Sequence, residues 1–253
     1  MSQLGYDVTG PPDAPVLVLG PSLGSTKELW SRYVDTFSRT FRVLRYDLLG
    51  HATSDVPPGP YTLDQLGRSV LDTLDEIDAG RVRYAGVSLG GMIGMWLATR
   101  APERVERLAL VCTSAHMPPA AGWTERAALV RAEGCGAVAD TVVGRWFTEA
   151  FKAHSPGVVA AYRDMIATTD PEGYAGCCEA IGAMDQRDTI TRITAPTLVI
   201  AGRDDPSTPP EHGGLIAATI PGARLTIVED AAHLAVVERA PEVGALLTEF
   251  LEA

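Results

Sequence analysis

The 253-residue sequence predicts an α/β fold, in which helices flank a mostly parallel central sheet and a helical cap is inserted. Two observations support this prediction. Short apolar runs, typical of buried strands, alternate with segments whose apolar residues recur at helical spacing. The alternation stops between residues 118 and 192, where every segment has a helical pattern, and then resumes. We therefore expect a core formed by 1–117 and 193–253, with 118–192 as a cap over the active site.

The predicted elements follow this alternation along the chain. The predicted strands span 16–19, 41–47, 82–87, 105–112, 196–201 and 223–228. The predicted core helices span 63–77, 92–98, 210–220 and 241–251, and the predicted cap helices span 123–132, 137–147, 158–168 and 174–184. Thr62, with Gln65 three residues later, is typical of a helix N-terminus.

Composition excludes several classes of partner. Hydrophobic residues make up 46% of the chain, which supports a large core, and charged residues make up 21%. The net charge of −11 argues against nucleic acid or an anionic membrane surface as a partner. An anionic substrate would need locally clustered positive charge against this overall field.

Location and cofactors are also constrained. Residues 1–10 lack the basic and apolar regions of a signal peptide, and no apolar stretch approaches the ~18 residues that span a bilayer, so we expect a cytoplasmic protein. The four cysteines lack a metal-binding spacing, and we expect no metal and no organic cofactor.

The most specific motif is Gly86-Val87-Ser88-Leu89-Gly90, between a predicted strand and a predicted helix. A strand, Gly-x-Ser-x-Gly and a helix together form a turn that exposes the serine as a nucleophile. The turn is so tight that only very small residues fit two positions before and after the serine, where Gly86 and Gly90 stand. An ordinary glycine-rich turn is the alternative in a chain with 25 glycines, but the strand-to-helix context favours Ser88 as a nucleophile.

A serine nucleophile needs a base, and the base needs an acid that orients it. With this motif the acid and then the histidine follow the serine in chain order. Asp204 and Asp205 both follow the strand 196–201, and chemistry alone does not separate them. His233 comes one helix and one strand later and is the expected base. The other histidines occupy less suitable positions: His51, His116, His154 and His212.

An oxyanion hole needs two backbone N–H groups. We expect one from Leu89, directly after the nucleophile. The other should come from the loop Gly20-Pro21-Ser22-Leu23-Gly24. Pro21 has no N–H, so Ser22 is the expected donor and Leu23 the second choice.

These residues together resemble the α/β-hydrolase superfamily, and more narrowly the 3-oxoadipate enol-lactonases of bacterial aromatic catabolism. The narrower resemblance rests on Ser22-Leu23-Gly24, on Arg45-Tyr46-Asp47 with Gly50-His51, and on cap segments 145–148, 172–175 and 178–181. The chain departs from that family at Pro21, where the family has asparagine, and at Leu49 and Ala52 in its Arg-Gly-His-Gly segment.

The resemblance implies a serine hydrolase that opens 3-oxoadipate enol-lactone through an acyl-enzyme. It places the nucleophile on Ser88, the base on His233 and, three residues after Gly202, the acid on Asp205. The expected partner is a small lactone. Its contacts are expected among Leu23, Trp123, Arg145 and Trp146, with Arg131 and Arg187 as further candidates for binding its carboxylate.

Two other classes of function remain open. A general carboxylesterase, a perhydrolase or a C–C bond hydrolase would use the same three residues, and only the cap segments argue against them. A small-molecule receptor on a hydrolase scaffold is the second class, which the complete Ser-Asp-His set disfavours. The oligomeric state is not predicted.

Overall fold

The computed structural model describes residues 3–253, in which a seven-stranded sheet lies between layers of helices. The strands are β1 Tyr6–Thr9, β2 Val16–Gly20, β3 Arg42–Tyr46, β4 Val82–Val87, β5 Val105–Val111, β6 Thr197–Gly202 and β7 Arg224–Val228. Their order is β1-β3-β2-β4-β5-β6-β7, and every neighbouring pair is parallel except β1 with β3. The predicted α/β fold class is confirmed.

Strands β2 to β7 correspond to the predicted strands, whereas β1 was not predicted. Residues of β2 and β6 are buried along their whole length, because helices cover both faces of a parallel sheet. Such strands are continuous apolar runs and are easily recognised. β1 is a four-residue antiparallel strand at the edge of the sheet, half-buried to exposed, and its Tyr-Asp-Val-Thr sequence carries no such signal.

The helices surround this sheet on both faces. They are α1 Ser31–Phe37, α2 Leu63–Glu76, α3 Leu89–Arg100, α4 Ala120–Glu133, α5 Gly136–Trp146, α6 Glu149–His154, α7 Pro156–Ala167, α8 Pro171–Ala183, α9 Pro210–Thr219, α10 Ala235–Glu238 and α11 Ala240–Glu252. Helices α1, α6 and α10 were not predicted, because seven residues or fewer are too short to establish a periodicity. Helices α4 to α8 lie between β5 and β6, in the segment predicted as a cap.

Local signals position the elements next to the site. The Thr62 side chain accepts a hydrogen bond from the Gln65 N–H at 3.1 Å, which confirms the predicted start of α2. All residues from 89 to 98 of α3 are buried. The carboxyl ends of β2, β4, β6 and β7 meet at one edge of the sheet, where ligands bind in open α/β folds.

Within residues 3–253, no helix combines the length and apolar character needed to cross a membrane. The same part of the chain contains no cluster of three or more histidine, cysteine or acidic side chains suited to hold a metal ion. All four cysteines are buried and unpaired.

Candidate active site

Ser88 occupies a strained turn between β4 and α3. Its backbone has φ 54° and ψ −116°, a region that residues with a Cβ rarely adopt. A Cβ on Gly86 would lie 2.4 Å from the carbonyl carbon of Gly90, and a Cβ on Gly90 would lie 2.5 Å from the carbonyl oxygen of Gly20. Both positions therefore require glycine. The turn leaves Ser88 at the surface of a cavity, 8% exposed.

The loops after β6 and β7 bring Asp205 and His233 together. Asp205 Oδ2 lies 2.8 Å from His233 Nδ1, and both residues are 3% exposed. Asp204, in contrast, is exposed. Of the two aspartates that sequence reasoning left open, the structure therefore pairs Asp205 with the histidine.

Further hydrogen bonds hold the Asp205 carboxylate. The N–H groups of Ser207 and Thr208 donate to Oδ1 at 2.7 and 3.0 Å, and the Thr208 hydroxyl donates to Oδ2 at 2.7 Å. Burial alone would raise the pKa of Asp205, but the charge and hydrogen bond of His233, together with the bonds from Thr208, outweigh it and hold that pKa below its ordinary value. The carboxylate therefore stays ionised and fixes the orientation of the imidazole.

The predicted oxyanion donors flank Ser88. Leu89 is the first residue of α3, so its N–H has no acceptor within the helix. Ser22 and Leu23 follow β2, and in the described part of the chain neither backbone N–H makes a hydrogen bond. The N–H of Gly90 donates to the carbonyl of Pro21 at 3.0 Å, which ties this loop to the turn around Ser88.

One cavity connects these groups to the cap segment. Its empty volume, which includes space open to solvent, is about 610 Å³. Ser22, Ser88 and His233 line it, as do the four predicted substrate contacts Leu23, Trp123, Arg145 and Trp146. The lining residues that were not predicted are Met92, Met117, Arg126, Val142, Tyr174, Ile181, Pro206, Ser207 and Thr208.

The cavity is locally positive although the protein carries a net charge of −11. Arg126 and Arg145 line it, and none of the described residues that line it is acidic. The Arg126 guanidinium lies 4.8 Å from the centre of the Trp123 ring. The buried hydroxyl of Tyr174 has no hydrogen-bond partner among the described residues, and burial raises its pKa, so it remains a donor. Two cations and a free donor suit an anionic ligand.

The alternative arginines are engaged elsewhere. Arg131 binds Glu172 at 2.7 Å and Glu179 at 2.6 Å, and Arg187 binds Asp185 at 2.6 Å. Neither arginine lines the cavity with Ser88. The structure therefore does not bring these two candidates to the cavity, and each guanidinium is already paired with a carboxylate.

Comparisons with known proteins identify the family of the chain. A family model described as alpha/beta hydrolase fold matches residues 15–240. The 3-oxoadipate enol-lactonase 2 of Acinetobacter baylyi is 38% identical over 236 residues, covering 93% of this chain and 88% of the relative.

Two solved structures are also similar over the whole chain. The enol-lactonase from Burkholderia xenovorans is 40% identical with a TM-score of 0.97, covering 100% of this chain and 97% of the other. A hydrolase from Pseudomonas aeruginosa is 44% identical with a TM-score of 0.96, covering 100% of this chain and 95% of the other. The resemblance to enol-lactonases is thus confirmed, and the chain belongs to the α/β-hydrolase fold family and is a hydrolase.

Proposed function

We propose that this hydrolase opens 3-oxoadipate enol-lactone, a five-membered lactone that carries an acetate arm. The observation that supports this most strongly is the cavity that joins Ser88 and His233 to two arginines, with no acidic residue among the described residues that line it. Such a site fits an ester that bears a carboxylate nearby. The relative in Acinetobacter baylyi is a 3-oxoadipate enol-lactonase and the one in Burkholderia xenovorans is an enol-lactonase, which supports a substrate of this class.

In the first half-reaction, the Ser88 hydroxyl attacks the lactone carbonyl while His233 takes its proton. Asp205 keeps the proton of the neutral imidazole on Nδ1 and stabilises the imidazolium that forms. The N–H groups of Leu89 and Ser22 stabilise the oxyanion. In related chemistry one such donor contributes about 3–4 kcal/mol.

Collapse of this intermediate breaks the bond between the carbonyl carbon and the ring oxygen. His233 gives its proton to that oxygen, which leaves as an enol and relaxes to a ketone. Because the substrate is cyclic, the enol remains part of the acyl group on Ser88. Water then attacks the ester as His233 takes its proton, and proton return to the serine releases 3-oxoadipate. The sequence of steps consumes only water.

The acetate arm is assigned to the cap side of the cavity. Arg126 is half-buried against Trp123, and it shares the cavity with the unpartnered hydroxyl of Tyr174. Together they offer a charge and a neutral donor to one carboxylate. Arg145 is more exposed and attracts the anion towards the opening. In this proposal residues 118–192 act as the cap that selects the substrate.

The ultraviolet absorbance of the enol-lactone provides the test. Wild-type protein should remove it rapidly, and Ser88→Ala should not. The acyl-enzyme has a distinctive mass, because a lactone adds to Ser88 as a whole molecule whereas p-nitrophenyl acetate leaves only an acetyl group. Acid quenching followed by mass spectrometry of the peptide that contains Ser88 should therefore detect addition of the complete lactone.

Other outcomes point to other functions. Cleavage of p-nitrophenyl acetate through Ser88, without turnover of the lactone, would indicate an esterase and reject the proposed substrate. Lactone turnover that survives in Ser88→Ala would reject the mechanism. Inactivity towards both compounds would favour a receptor on a hydrolase scaffold.

A further inference from the structure

His51 is a buried histidine that the proposed mechanism does not use. It is 1% exposed, and its Nε2 lies 3.0 Å from the backbone nitrogen of Gly24. The Gly24 N–H can only donate, so Nε2 must accept and the ring proton must be on Nδ1. Nδ1 lies 3.3 Å from the carbonyl oxygen of Leu49, which can accept that proton. Burial lowers the pKa of His51 to about 4, so the ring is neutral near pH 7.

The partner of His51 ends the oxyanion loop. Gly24 directly follows Ser22 and Leu23 and has a positive φ of 76°. The start of this loop is held by the Gly90 N–H on the carbonyl of Pro21. Within the segment, the N–H and the hydroxyl of Ser25 donate to the Ser22 carbonyl at 3.0 and 2.8 Å. His51 therefore supplies a further anchor, at the far end of a short segment that holds a proposed oxyanion donor. Without the acceptor, a buried N–H would lose its hydrogen bond, and the loop would relax to recover one.

The cap rests on the same two residues. The rings of His51 and Tyr174 are stacked, with centroids 6.4 Å apart and planes inclined by 26°. A Cβ added to Gly24 would lie 3.0 Å from the Cε2 atom of Tyr174. One position earlier on α8, a Cβ on Gly173 would lie 2.0 Å from the carbonyl oxygen of Gly50. Helix α8 thus packs against both His51 and the loop that His51 anchors.

We propose that His51 is a positioning residue for the oxyanion hole. Its neutral imidazole fixes the Gly24 amide and thereby the backbone of Ser22 and Leu23, and its face supports Tyr174 of the cap. This inference rests on the proposed function, in which Ser88 forms an oxyanion intermediate. His51 itself touches neither the substrate nor the reacting atoms.

A matched pair of variants separates this role from simple packing. In His51→Gln, the side-chain oxygen can accept from the Gly24 N–H at a reach similar to Nε2, whereas His51→Met has similar length and no comparable acceptor. We expect His51→Met to lower kcat for the lactone roughly 10- to 100-fold. This decrease in kcat should not exceed the decrease caused by removing an oxyanion donor itself. KM should stay within about threefold, because the oxyanion exists only in the transition state and intermediate. His51→Gln should recover most of kcat.

Two measurements make the comparison independent of folding yield. Titration with a fluorophosphonate counts the competent Ser88 sites, so kcat is expressed per active molecule. A trifluoromethyl ketone forms a tetrahedral adduct that carries an oxyanion, and its inhibition constant should rise in His51→Met in parallel with the loss of kcat.

The inference is overturned if His51→Met keeps wild-type kcat, or if the two variants lose kcat equally. A loss that appears in KM alone would also overturn it. If wild-type protein does not turn over the lactone, the proposed function itself fails, and if Ser88→Ala still hydrolyses it, the serine mechanism fails. If Ser88 is required but His51→Met is normal, only the positioning role fails.

Discussion

Replacing Arg126 by glutamine tests the origin of the positive charge in the cavity. Arg126 is half-buried, lies over the Trp123 ring and has no ion pair within residues 3–253. Glutamine keeps a polar side chain on α4 but removes the charge. The substitution should therefore weaken recognition of a carboxylate while leaving Ser88, His233 and Asp205 unchanged.

The size of the effect follows from the partial burial of Arg126. A hydrogen bond between charged groups contributes about 1.5–3 kcal/mol when it is shielded from solvent. Solvent screens a half-exposed guanidinium, so we take the lower part of this range, about 1.5–2 kcal/mol. At about 1.36 kcal/mol for each tenfold change, kcat/KM for the lactone should fall about 10- to 30-fold. Arg145 is exposed, and Arg145→Gln should cost less, about threefold.

The assay compares the lactone with a neutral ester. For p-nitrophenyl acetate, kcat/KM of Arg126→Gln should stay within about twofold of wild type, because no carboxylate is bound. Arg187→Gln is the matched control, since it removes an arginine that Asp185 already neutralises outside the cavity. Equal losses on the charged and neutral substrates, or no loss on the lactone, would refute the assignment of Arg126.

Three further predictions concern other parts of the site. Asp205→Asn should lower kcat on the order of 10³- to 10⁴-fold with little change in KM, because an amide stabilises neither the imidazolium nor the required tautomer of His233. Steady-state kinetics with the lactone would measure this loss. The unfolding free energy of Ser88→Gly should exceed that of Ser88→Ala by about 1 kcal/mol, because φ 54° with ψ −116° mirrors an extended conformation that glycine adopts freely. Thermal unfolding should therefore give Ser88→Gly the higher melting temperature, and equal melting temperatures would contradict backbone strain at this position. Folding lowers the pKa of His51 from 6.5 to about 4. Between pH 6.5 and pH 4 the unfolded chain therefore binds a proton at His51 that the folded protein does not bind. The unfolding free energy should fall by ~3 kcal/mol as the pH drops across this range. Urea unfolding of His51→Gln at both pH values should lack this part of the decrease.

Sequence reasoning was most effective where a site depends on consecutive residues. The turn around Ser88 is determined by residues adjacent in sequence, because Gly86 and Gly90 make its close backbone contacts. His233 could be located because parallel strands bring their carboxyl ends to one edge. Asp204 and Asp205 are neighbours of identical chemistry, and only the three-dimensional course of the loop leaves one exposed and buries the other.

Residues whose roles depend on helix packing were harder to predict. Arg126 and Arg131 both lie on α4, but five residues at about 100° each turn them roughly 140° apart around the helix. One therefore lines the cavity while the other binds Glu172 and Glu179. The sequence does not reveal which face of α4 meets the cavity. Trp123 was predicted to contact the substrate, and residues three positions apart on a helix lie on the same face. This spacing could have indicated that Arg126 also faces the cavity.

The arrangement separates chemistry from substrate selection, but not completely. Loops at the ends of β2, β4, β6 and β7 carry the groups that act on the ester in the proposed mechanism, and α4, α5 and α8 supply most of the remaining cavity wall. Under the proposed function, changes in α4 therefore alter substrate preference while the chemistry persists. Helix α8 differs because Tyr174 contacts both Gly24 and His51. A change at this contact reaches the proposed oxyanion loop directly, so the proposed mechanism couples the shape of the cap to the rate of the chemical step through α8.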